Sequence, residues 1–79
     1  MNTLLRLPAV MDATGLAGPT VYPRIRRGLF PRPVKLSERA VAWPESEVSA
    51  INAARIAGKS EADIKSLVVQ LEQQRGGSV

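Results

Sequence analysis

The stretch TGLAGPTVYPRIRRGLFPRPVKLSERAVAW, residues 14–43, holds the residues whose types and spacing can do chemistry. Arg24, Arg26, Arg27, Arg32, Lys35 and Arg39 fall within it against Glu38 alone, a local balance of +5 in a chain of net charge +4. The remaining five basic residues face six acidic ones. A basic segment inside a near-neutral chain is the electrostatic footprint of a polyanion binder. Guanidinium groups suit that task, because their rigid fork can donate two parallel bonds to a phosphate or to the O6 and N7 of guanine. The plainer alternative is a solvated charged face.

Other chemistries are excluded by composition. The chain has neither cysteine nor histidine, so it lacks disulfides, thiolate zinc sites, the usual general base and the commonest metal ligand. Its seven carboxylates are scattered without the paired spacing of an acid–base site. No catalytic constellation emerges, and neither an enzyme nor a cofactor is expected. No apolar run approaches the roughly 20 residues of a membrane span. The start, MNTLLRLPAVM, is followed at once by Asp12 and does not read as a signal peptide. The expected location is the cytoplasm, in association with the nucleoid. Three aromatic residues, Tyr22, Phe30 and Trp43, are too few for a stacking surface on single strands, since Phe30 and Trp43 read as core.

The elements that must position the basic residues can be read in outline. Seventy-nine residues allow one small domain with a thin core. Leu4 to Leu7 reads as an extended lead-in. A first helix over 8–13 turns Leu7, Val10 and Met11 inward and ends at Thr14-Gly15. Leu16 then plugs the gap before a second helix, which starts near Gly18-Pro19 and ends at Arg27 with Gly28 as its stop. Val21 and Ile25 form its inner stripe, leaving Thr20, Pro23, Arg24 and Arg27 on the opposite face. Pro23 removes a ladder bond and disfavours the helical conformation at Tyr22. The regular part of this helix is therefore expected to be short.

Leu29 to Pro33 reads as a stiff extended connector. Two strands over 34–36 and 40–43 around Ser37-Glu38-Arg39 make a small hairpin. A third helix over 45–57 buries Val48, Ile51 and Ala54 and stops at Gly58. Ser60-Glu61-Ala62-Asp63 resembles a capping box and opens a fourth helix to about Gln74. The apolar stripe of that helix is Ile64, Leu67, Val68 and Leu71. The predicted fold class is mainly α with a small two-stranded wing. Residues 4–57 form the domain, 60–75 an amphipathic helix for packing or oligomerisation, and 76–79 a frayed tail.

The order of these residues resembles the AlpA family of small DNA-binding proteins of phages and integrated elements. The resemblance runs from Leu5 to Ala57. It is carried by Leu7-Pro8, Thr14-Gly15-Leu16, Thr20, Tyr22, Gly28, Phe30-Pro31, Pro33, Val34, Leu36, Trp43 and Glu47-Val48. The resemblance implies a MerR-like winged helix-turn-helix, with a recognition helix over 19–27 and a wing over 34–43. It further implies a transcriptional regulator, an excisionase (recombination directionality factor), or both. Excisionases share the winged architecture. Two positions depart from the family pattern: a serine is common near 19 and an arginine or similar polar residue near 23, and both are proline here. Neither proline can donate to a base, so base reading is expected to shift to Thr20, Arg24 and Arg27, or to lean on DNA shape and the wing.

On this reading Arg26 sits on the flank of the helix and meets a phosphate. Arg32, Lys35 and Arg39 belong to the connector and wing and contact phosphates, and Arg39 can also enter a minor groove. Tyr22 either bonds a phosphate or packs at the core edge. Ile64, Leu67, Val68 and Leu71 either fold back on their own domain or pack against a second protomer. The expected partner is double-stranded DNA, together with self-association on DNA as a dimer or tandem array and an integrase. The competing class is a protein–protein adaptor whose fourth helix docks on an integrase or polymerase, with no role for a membrane.

Overall fold

The computed structural model describes residues 2–77. In chain order the elements are β1 (Leu4–Leu5), α1 (Leu7–Thr14), α2 (Gly18–Arg26), β2 (Val34–Ser37), β3 (Ala40–Pro44), α3 (Glu45–Ile56) and α4 (Glu61–Gly77). Together they compose a winged helix-turn-helix.

The break between α1 and α2 is built from Thr14-Gly15-Leu16. Gly15 adopts φ +73° and its N–H returns to the carbonyl of Met11 at 2.8 Å, a left-handed stop that disfavours a side chain. Thr14 Oγ1 donates to the Val10 carbonyl at 2.7 Å and accepts from the Leu16 N–H at 3.2 Å. One hydroxyl thus closes the last turn of α1 and orients the exit. Leu16 packs against the core, as expected of the plug.

Helix α2 corrects the expectation of a short regular helix. It runs as α-helix from Gly18 to Arg26 with Pro23 inside it. Pro23 removes one rung, the bond to the carbonyl of Pro19, and Pro19 is exposed in the first turn where water can solvate that carbonyl. Both ends are fixed tertiarily. Val21 is fully buried. At the C-terminus Gly28 (φ +78°) donates to Ile25 and Leu29 donates to Arg24, at 3.0 and 2.9 Å. This is the Schellman pattern, and the apolar residue that follows it, Leu29, is buried. Packing at both ends outweighs a local penalty of about 3 kcal/mol.

The hairpin β2–β3 forms as expected, with Val34 opposite Ala42 and Lys35 opposite Val41. Its register shifts between Lys35 and Ser37, a bulge that leaves Leu36 exposed. The lead-in is more than an extended segment. Leu4 and Leu5 pair antiparallel with Pro44 and Trp43, so the two-stranded wing is part of a three-stranded sheet of order β1-β3-β2. The same segment caps α3, because Thr3 O accepts from Glu45 N–H at 2.7 Å and Asn2 Oδ1 from Ser46 N–H at 3.1 Å.

Trp43, on the central strand, is fully buried and meets Phe30 with ring centroids 6.2 Å apart. Val10, Val21, Leu29, Val48, Ile51, Ile64 and Val68 complete the core. Ser60 Oγ accepts from the Asp63 N–H at 3.1 Å, the forward half of the capping box that opens α4. Of the two placements open to the α4 stripe, the structure has the intramolecular one. Ile64 and Val68 are core, and Leu67 and Leu71 pack on it. Of the expected frayed tail, Gly76 and Gly77 are helical, while Ser78 and Val79 lie outside the described residues. No helix of the described residues is long and apolar enough to cross a membrane.

Candidate nucleic-acid interface

Burial along α2 sorts its side chains. Val21 is buried and Ile25 half-buried, so the inner stripe is as expected. Pro19, Tyr22, Arg26 and Arg27 are exposed, whereas Thr20, Pro23 and Arg24 are half-buried. The expected outward face therefore shifts. Arg26, assigned to the flank, stands exposed one turn beyond Tyr22. Arg27, expected on the face itself, lies past the last helical residue as the cap. Its Nη2 rests 3.2 Å from Glu61 Oε2, with both side chains well exposed. An ion pair this exposed contributes at most about 1 kcal/mol and can yield to a phosphate.

Arg24 differs from its neighbours. Its Nε is buried and makes no hydrogen bond, a donor whose desolvation is uncompensated within the chain. Tyr22 has its ring against the edge of Trp43, centroids 6.2 Å apart at 65°, yet remains 40% exposed. It packs at the core edge and still presents surface, so both expected placements are compatible with its position.

Three contacts tie α2 and the connector after it to the hairpin. Tyr22 touches Trp43 of β3, Phe30 touches the same indole, and Trp43 Nε1 donates to the Pro31 carbonyl at 2.9 Å. On the connector and wing, Arg32, Lys35 and Arg39 are all exposed, with Arg39 in the turn between the strands. Among the described residues, the side chains of Arg26, Arg32, Lys35 and Arg39 have no hydrogen-bond or ion-pair partner.

Glu47, Glu72 and Arg75 are engaged by the scaffold, and sequence reasoning missed these partnerships. Arg75 of α4 forms a two-pronged ion pair with Glu47 of α3, Nε to Oε2 at 2.9 Å and Nη2 to Oε1 at 2.5 Å. Glu47 is only 5% exposed. The Glu47 bonds raise the Arg75 pKa above the ordinary arginine value, against desolvation that lowers it. Glu72 accepts from the Arg32 backbone N–H at 2.8 Å, and Arg75 donates to the Arg32 carbonyl at 2.6 Å. Glu47 lies in the first turn of α3, where a negative charge is favourable in any case. Its only further signal was a carboxylate set directly before core Val48. No cluster of metal-ligating side chains occurs among the described residues.

Comparison with known proteins places the chain in a family. The family model described as prophage CP4-57 regulatory protein (AlpA) matches residues 3–55. A protein of Enterobacteria phage P4, described as the uncharacterized protein ORF88, is 51% identical over 55 residues, covering 70% of this chain. The matched region spans 62% of that relative's length. No solved structure matches.

Proposed function

Because this chain belongs to the AlpA family of phage regulatory proteins, we propose that it binds double-stranded DNA with α2 in the major groove and the β2–β3 wing on the adjacent backbone. The carrying observation is the placement of the +5 segment. It lies wholly on α2, the connector and the hairpin, and most of its cations are exposed. Arg24 and Arg26 are the base-reading candidates, Arg24 from the half-buried flank of α2 and Arg26 because it is exposed and unpaired. Thr20 reads a base or a thymine methyl from the half-buried flank. Arg27 exchanges Glu61 for a phosphate. Tyr22, Arg32, Lys35 and Arg39 hold the backbone.

The mechanism is binding and bending, without bond chemistry. A single winged module buries little DNA and binds weakly, so self-association on adjacent sites supplies the missing affinity. On a promoter this makes a regulator. Beside attachment sites it makes a recombination directionality factor that shapes DNA for an integrase. The adaptor alternative has less to support it, because the apolar stripe it needs on α4 is taken up by the chain's own core.

Gel shifts and footprints on DNA flanking the chain's own gene test the reading. Saturable, sequence-dependent binding is expected, falling with salt at a log–log slope of about −0.9 per phosphate contacted. Phased protection near an attachment site supports the directionality role, and a single promoter site supports the regulator. Absence of any sequence-dependent shift at low salt contradicts the DNA reading.

A further inference from the structure

We propose that α4 is a positioning element of the DNA-binding device, with Glu72 and Arg75 clamping the connector at Arg32 and so fixing the angle between α2 and the wing. The inference rests on the DNA-binding reading above. The connector Pro31-Arg32-Pro33 belongs to no helix and no strand. Both prolines lack an N–H, so the stretch has a single backbone donor, that of Arg32. That donor goes to Glu72 at 2.8 Å. The Arg32 carbonyl, in turn, accepts from Arg75 Nη2 at 2.6 Å.

Arg75 is itself held in register. Its two bonds to buried Glu47 fix the plane of the guanidinium, and that plane aims the third bond at the connector. A continuous path thus runs from α3 through α4 to the joint between recognition helix and wing. Trp43 Nε1 on the Pro31 carbonyl holds the joint from the sheet side. The matched family stretch ends at residue 55, so the clamp comes from a helix beyond it.

A clamp and a bystander differ in the sign of a charge effect. Glu72 is an anion beside the basic segment, and its removal alone strengthens attraction to DNA. If Glu72 positions the connector, removal weakens binding instead. The experiment uses the full chain on DNA flanking its own gene, with hydroxyl-radical footprints and salt slopes for wild type, Glu72→Ala, Glu72→Gln and Arg75→Lys.

Glu72→Ala is expected to lose protection at the backbone positions that Arg39→Ala also loses, while the protection due to α2 persists. Its affinity falls roughly tenfold, the low end for one lost specific contact. Its salt slope shrinks by about 0.9 for each phosphate released. Glu72→Gln keeps the acceptor oxygen, so it retains the wild-type footprint and binds at least as tightly. Arg75→Lys keeps the charge opposite Glu47 but cannot make the forked geometry, and it loses the wing footprint too. A wild-type footprint and slope in Glu72→Ala and Arg75→Lys, or tighter binding by Glu72→Ala, overturns the clamp alone. A wild-type chain with no footprint overturns the DNA reading and the clamp with it. Should a variant fail to fold, hydrogen exchange in the wild type decides: the Arg32 amide must exchange slowly, and fast exchange overturns the clamp.

Discussion

Helices α2 and α4 flank the same connector and use charge in opposite ways. On α2 and its cap the arginines are left without a complete set of partners: Arg26 stands exposed, Arg24 has a buried Nε with no acceptor, and Arg27 holds only a solvent-exposed carboxylate. On α4, Glu61, Glu72 and Arg75 are each engaged within the chain, and the Arg75–Glu47 pair is largely withdrawn from water. An ion pair buried within a domain chiefly fixes geometry, because desolvation offsets much of its attraction. An unpaired exposed arginine contributes little to stability and stays available to a ligand. The two helices therefore divide the work: α4 fixes positions and α2 presents donors.

Substitutions can break or sharpen this division. The largest stability loss is expected from Arg75→Met, which leaves the Glu47 carboxylate buried without its partner, at a cost of about 3 kcal/mol. For a domain this small, chemical or thermal denaturation should show a melting point lower by more than 10 °C, roughly 4–8 °C for each kcal/mol. A loss no larger than that of an exposed pair contradicts the assignment of α4 as the fixing helix. Pro23→Ala should act oppositely, raising stability by up to about 3 kcal/mol through the restored rung to Pro19. An unchanged or lower melting point would mean that the proline ring itself packs usefully on α2.

On the presenting side, Arg24→Ala and Arg26→Ala are expected to weaken specific DNA binding by roughly 1–3 kcal/mol each where they read a base. Arg26→Ala should leave the melting point in place, since no partner within the described residues is lost. Arg39→Ala should weaken binding evenly across sequences and lower the salt slope by about 0.9. The smallest effect is that of Glu61→Gln. It breaks an exposed ion pair, so stability changes by less than about 1 kcal/mol, while DNA affinity rises slightly as Arg27 is released.

What the sequence made legible was local. Gly15, Gly28 and Gly58 mark helix ends because a positive φ is a property of one residue and its neighbours. Ser60 marks the start of α4 for the same reason, and the Ser37-Glu38-Arg39 turn marks the hairpin. The family resemblance extended this to the winged architecture. Features that stayed hidden depend on distance along the chain. Glu47 and Arg75 are 28 residues apart, and nothing in either neighbourhood announces the other. Leu4 and Leu5 form only two pairs with β3, too few for an alternation pattern to appear. Pro23 misled because the penalty it carries is local while the burial of Val21 and Leu29 holds the helix tertiarily. The exchange of roles between Arg26 and Arg27 turned on a distant partner: Arg27 meets Glu61 of α4, 34 residues away, while Arg26 stays exposed and unpaired.

The central claim is that α2 and the wing grip one duplex together. A hydroxyl-radical footprint of the full chain on DNA flanking its own gene, at several salt concentrations, tests it most directly. Two adjoining patches of protection are predicted, one reduced by Arg26→Ala and the other by Arg39→Ala, with affinity falling steeply as salt rises. Protection that responds to neither substitution, or no sequence-dependent protection at low salt, would contradict it.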